Sequence, residues 1–134
     1  MNWLSIIVSS LISGLAGVVI SMIYYRNYES RQHKLQLLEK LIGNRYDLTG
    51  QTFTEALNQV FIVFYDSWEV KAALKDFYEV IIDPRSTQDR TNQKLLNLFK
   101  AMCENLKISI DPLNDNFFLT AFNVNQTSDT TKKQ

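Results

Sequence analysis

"WLSIIVSSLISGLAGVVISMIYYR", residues 3–26, decides how the rest of the chain is read. Its first 23 positions, residues 3–25, carry no charge. At a rise of about 1.5 Å per residue they make a helix of about 34 Å, enough to cross a hydrocarbon core of about 30 Å with some tilt. Trp3 at one end and Tyr24 and Tyr25 at the other stand where interfacial aromatics belong. Arg26, Arg31 and Lys34 follow the apolar run while no charged side chain precedes it. The positive-inside rule then predicts a single span in a bacterial inner membrane, N-terminus outside and the following domain in the cytoplasm. A cleaved signal peptide would carry its basic residues before a shorter apolar core, and here they come after it.

The same stretch holds five serines and two glycines. Ser10, Gly14, Gly17 and Ser21 are spaced four, three and four apart, so on a helix they fall within about 60° of one another. Ser13 and Gly17 add a second small pair beside them. Small side chains let two helix backbones approach closely, and serine hydroxyls bond across such a contact or back to their own helix. The stripe therefore predicts a homo-oligomer. One heptad register continues it through Ile7, Gly14, Ser21, Tyr28, Leu35 and Ile42, and its partner register through Trp3, Ser10, Gly17, Tyr24, Arg31 and Leu38. Tyr28, Leu35, Leu38 and Ile42 are accordingly expected to extend the seam into water, with Arg31 as the interruption.

Past the apolar run the composition changes. All charged residues, 14 basic and 14 acidic, lie from Arg26 onward, so the zero net charge belongs to the C-terminal part alone. The signs are blocked: five basic and two acidic groups in residues 26–45, two and seven in 46–83, five and two in 84–107. Such blocks read as solvated faces. One cysteine, Cys103, excludes an internal disulfide and fits a reducing compartment.

The chain divides into a transmembrane helix (1–25), a juxtamembrane helix (26–45), a cytosolic helical domain (46–122) and a polar, disordered tail (123–134). No glycine or proline interrupts residues 19–42, and Gly43 and Asn44 read as the stop of one long helix. Thr52-Phe53-Thr54-Glu55 has the form of a capping box ahead of Ala56, Leu57, Val60, Phe61 and Phe64, predicting an amphipathic helix over 53–65. Asp66 or Ser67 can cap a third helix with Val70, Ala73, Leu74, Phe77, Ile81 and Trp68 on its inner face. A loop at 83–90 precedes a fourth helix, about 90–107, marked by Leu95, Leu96, Phe99, Met102, Cys103 and Leu106. Residues 108–123, with Pro112 and an aromatic pair, are expected to form a short piece packed on this bundle. The fold class is all-α: one N-terminal transmembrane helix running into a juxtamembrane helix, then a small helical bundle.

No pattern supports catalysis. The single histidine, His33, lies some 70 positions from Cys103, two such residues fall short of a zinc site, and the glycines at 14, 17, 43 and 50 form no phosphate loop. Asp111 and Asp115 lack the spacing of a calcium loop and read as turn and cap residues. No enzyme activity, cofactor or metal is expected. Arg85, Arg90 and Lys94, with Ser86, Thr87 and Thr91, surround the expected start of the fourth helix, where free N–H groups favour anions; this is the candidate ligand site. Asn125-Gln-Thr127 fits a glycosylation sequon, relevant only outside the cytoplasm.

"KLQLLEKLIGNR" (34–45), "EALNQVFIVF" (55–64), "VKAALKDF" (70–77) and "LLNLFKAMCENL" (95–106), after one span, resemble a family of small bacterial membrane proteins known as a domain of unknown function. Glu55-Ala56-Leu57-Asn58 and the Val-x-x-Ala-x-Lys pattern at Val70, Ala73 and Lys75 carry the resemblance, which covers about residues 26–110. Leu74 stands where that family often has Trp. The resemblance implies a membrane-anchored helical domain and no catalytic residue. The plan is also similar in outline to oligomeric membrane effectors or pores of bacterial phage defence, gated by a nucleotide-type ligand or a partner protein. The leading expectation is a non-catalytic, self-associating single-pass protein that presents a cytosolic interaction domain. Its expected partners are the lipid bilayer, further copies of itself, and a cytosolic protein or nucleotide; duplex nucleic acid is not among them.

Overall fold

A computed structural model describes residues 2–122. The tail at 123–134, with its sequon at Asn125, lies outside the described residues. Five helices follow in order: α1 Trp3–Gly43, α2 Gln51–Val63, α3 Trp68–Ile82, α4 Gln88–Asn105 and α5 Asp115–Leu119, with no strand among the described residues. Two compact units divide them, one ending at His33 and the other beginning at Lys34. The second unit thus takes in the last turns of α1.

In the first unit every residue from Trp3 to Glu29 is exposed. This part of α1 is long and apolar enough to cross a membrane, and none of its apolar window is buried.

The second unit is a helical bundle around Leu41, Phe53, Phe64, Leu95, Leu98, Phe99 and Met102. Central to it is α4, whose apolar positions recur at three and four: Leu95, Leu96, Leu98, Phe99, Met102, Cys103 and Leu106 are all buried. Its start is capped by Thr87, whose Oγ1 accepts the Arg90 N–H at 3.3 Å. Its end turns through Lys107 at φ 55°, with the Ile108 N–H donating to the Cys103 carbonyl at 2.9 Å and the Lys107 N–H to Glu104 at 3.0 Å. That is the paired bonding of a left-handed helix stop, made here with a side chain where glycine is usual. The third helix starts at Ser67, whose hydroxyl accepts the Val70 N–H at 3.3 Å.

Two local expectations are corrected. The capping box does not form: the N-cap of α2 is Gly50, without a side-chain cap, so Thr52 and Glu55 lie inside the helix and Glu55 accepts from Gln51 Nε2 at 2.7 Å. Asp47 sits in the turn before this start: its carbonyl accepts the Gly50 N–H at 3.1 Å, and its exposed carboxylate lies where a Cβ on residue 50 would push it aside. The inner faces also differ in detail. Phe61, Trp68 and Ile81 are 62%, 74% and 54% exposed, while Val80, not assigned to the core, is buried. Of the expected piece at 108–123, the described residues 108–122 hold a turn and α5, whose start is capped by Asn114 and whose Phe118 is buried.

Candidate functional site

The small residues of α1 lie on its exposed part. Ser10, Ser13, Gly14, Gly17 and Ser21 are all exposed, and Gly14, Gly17 and Ser21 floor a shallow groove edged by Val18, Met22 and Tyr25. A Cβ built on Gly14 or Gly17 meets nothing within 4 Å. The glycines are therefore not required by contacts inside the chain. Four serines hydrogen-bond to their own helix: Ser5 to Asn2 O at 2.7 Å, Ser9 to Ile6 O at 3.1 Å, Ser10 to Ile7 O at 3.0 Å and Ser13 to Ser9 O at 2.9 Å. Their hydroxyls are thereby satisfied without a second helix, as an apolar medium demands.

The water-side seam is used differently from the expectation. Tyr28 is exposed, but Leu38 is 3% exposed in the chain's own core, and Leu35 and Ile42 are half-buried against it. A heptad of leucine and isoleucine serves an intramolecular bundle as well as a coiled coil, because both bury a stripe of one helix. Here the chain itself supplies the cover: Leu35, Leu38 and Ile42 border a groove of about 390 Å³ shared with Ile110, Leu113 and Phe117.

Two polar anchors hold the second unit together, and sequence reasoning missed both. Lys34, counted among the basic residues that orient the span, is buried, with its ammonium 2.9 Å from Asp66 Oδ1 and 5.6 Å from the centroid of the Phe64 ring. Arg45 donates to the Ile42 carbonyl at 2.6 Å and to the Thr120 carbonyl at 3.3 Å, with its guanidinium 5.1 Å from the centre of the Phe117 ring. Burial lowers its pKa from the ordinary arginine value. Its Nε is buried with no hydrogen-bond partner among the described residues. The advance signal was slight: Lys34 is a basic residue beside leucines and Arg45 one just past the helix stop at Gly43, and both also fit membrane-flanking charge.

The basic cluster at the start of α4 comes with an acidic neighbour. Arg85 is exposed and Lys94 half-buried. Arg90 Nη1 lies 3.7 Å from Asp83 Oδ2, while Asp83 Oδ1 accepts the Arg85 backbone N–H at 2.9 Å. Within the cluster, Arg90 thus faces a carboxylate, and its own backbone N–H is taken by the Thr87 hydroxyl.

The α2–α3 hairpin presents an apolar surface instead. Leu57, Phe61, Leu74, Tyr78 and Ile81 line a groove of about 380 Å³ with Lys71 and Lys75 at its edge, and Tyr65 and Trp68 are exposed near the turn. Lys75 is engaged with Glu79 at 3.4 Å. His33 is exposed, whereas Cys103 is buried and its thiol pKa is pushed up by that burial. No group of three or more His, Cys, Asp or Glu residues among the described residues is placed to hold a metal ion.

Compared with known families, residues 1–114 match the model described as a family of unknown function, DUF6680. The match takes in the apolar segment as well as the bundle through the turn before α5. No curated protein and no solved structure matches the chain.

Proposed function

The chain belongs to this family of unknown function, and from that premise we propose that it is a non-catalytic, single-pass protein of a bacterial inner membrane which self-associates through its span and presents the helical bundle to a partner in the cytoplasm. The observation that carries the reading is the uninterrupted exposure of an uncharged apolar helix from Trp3 to Tyr25. Apolar surface on that scale exceeds the patches soluble monomers leave in water, and lipid is the medium that accepts it. Arg26 and the basic excess after it orient the bundle to the cytoplasmic side.

Self-association is supported by the coincidence of Gly14, Gly17 and Ser21 with a groove that none of the described residues fills. Tyr65, Trp68 and the Phe61–Tyr78–Ile81 groove are the surface offered to a partner, since aromatic side chains at the edge of an apolar hollow are the usual anchors of interfaces.

Alkaline extraction of bacterial membranes tests the anchor: the chain stays in the pellet, and release into the supernatant sinks the reading. Light scattering in mild detergent tests the stripe. Gly14→Ile with Gly17→Ile lowers the oligomeric mass, and because neither change meets an intramolecular neighbour, a mass that stays the same removes the stripe as the contact.

A further inference from the structure

We propose that the α2–α3 groove receives one amphipathic helix of a partner protein, apolar on the face it inserts and acidic beside that face. The inference rests on the reading of the bundle as an interaction domain and names the chemistry of what it binds. Phe61 on α2 and Tyr78 and Ile81 on α3 are largely exposed, and with the half-buried Leu57 and Leu74 they line one groove of about 380 Å³. Large apolar side chains gathered around a single hollow mark a contact surface. From Lys71 to Ile81 the wall supplied by α3 runs for about 15 Å, the length of roughly ten helical residues. That span suits a helix with apolar anchors at i, i+4 and i+7, the usual occupant of a groove between two helices.

Charge fixes the sign of the partner. Residues 46–83 hold seven acidic groups and two basic ones; both basic ones, Lys71 and Lys75, border the groove, and no carboxylate does. Helical periodicity explains the sorting. At about 100° per residue, Lys71 and Lys75 lie within about 100° of Leu74, whereas Glu69, Asp76 and Glu79 lie about 140–160° from it. On α2, Glu55 is likewise about 160° from Leu57. The acidic groups of the turns are engaged elsewhere: Asp47 by the Thr49 hydroxyl, Asp66 by Lys34 and Asp83 by Arg90. Lys71 is half-buried and in no ion pair among the described residues. The pair of Lys75 with Glu79 at 3.4 Å has side chains 73% and 57% exposed, so it exchanges at little cost. An acidic helix seated in the groove gives both ammonium groups a partner, and a basic one meets them as like charges.

The test uses the full chain in discs of phosphatidylcholine, with Asn58→Cys in the groove carrying a polarity-sensitive dye and the buried Cys103 left in place. The probes are two synthetic helical peptides with leucines at i, i+4 and i+7, identical except that glutamates flank the leucines in one and lysines in the other. The acidic peptide shifts the dye to the blue and binds roughly tenfold tighter than the basic one, and added salt narrows the difference. Lys71→Glu with Lys75→Glu reverses the preference at unchanged helical circular dichroism. If that double variant loses its circular dichroism, Lys71→Gln with Lys75→Gln decides, by abolishing the preference. Phe61→Ser weakens both peptides. Equal binding of the two, tighter binding of the basic one, or a preference that survives the lysine substitutions overturns the acidic partner and leaves the bundle as an interaction domain. Binding of neither overturns the proposal and takes the groove out of the proposed function as well. A blue shift in phosphatidylglycerol discs with no peptide present puts lipid in the groove and also overturns it.

Discussion

Lys34 and Asp66 meet 2.9 Å apart with unequal access to water: the lysine side chain is 9% exposed and the aspartate 48%. Removing the partner of a buried charge costs more than removing the charge itself, because the stranded ion has lost its solvation. Asp66→Ala therefore destabilises the bundle by roughly 2 kcal/mol, less than for a fully buried pair because water reaches the carboxylate side. Lys34→Met costs less, since the aspartate left behind is half in water and the methionine stem still covers Phe64. Urea denaturation of the full chain in detergent, followed by circular dichroism, checks the order; equal losses would contradict it.

Lys107 ends α4 with a φ of 55°, a conformation that a side chain disfavours by roughly 1 kcal/mol and glycine does not. Lys107→Gly is expected to raise the unfolding midpoint, while Lys107→Val lowers it. A stabilising valine would show that the strain is not felt.

Cys103 is buried at the inner surface of α4 with its thiol pKa raised by desolvation. At neutral pH it stays protonated and shielded, so a maleimide labels the native chain slowly and labels it rapidly in urea. The unfolded chain gives up this proton first. Its contribution to stability is therefore full below the ordinary thiol range and declines as the pH rises through that range. Cys103→Ala removes that part of the alkaline decline, and an unchanged profile above pH 8 would count against the assignment.

The helical order was legible because α4 and α2 repeat their apolar residues at three and four, and because Ser67 stands immediately before the third helix. The limits of that reading come from residues whose type permits two fates. Phe61, Trp68 and Ile81 lie within apolar runs, and a run does not say which of its edges reaches the core; in this bundle Val80 turns inward and Ile81 does not. Leu35, Leu38 and Ile42 carried a heptad that a single chain and a pair of chains can both satisfy. Lys34 and Arg45 were read by charge, whereas their placement follows from Asp66, Phe117 and Thr120, which are distant in sequence and brought near only by the packing of other helices. At the start of α4 the basic residues were visible, but Asp83 answers Arg90 through a loop geometry that spacing does not reveal.

The back-bonded serines of α1 bear on the order of events in the cell. Ser5, Ser9, Ser10 and Ser13 are already occupied by carbonyls one turn earlier, so these four hydroxyls need no second copy to be satisfied in an apolar phase. Under the self-association proposed above, recruitment of a second copy is then a step separate from insertion, open to control by the amount of protein made or by crowding within the sheet of lipid, rather than a condition of biogenesis.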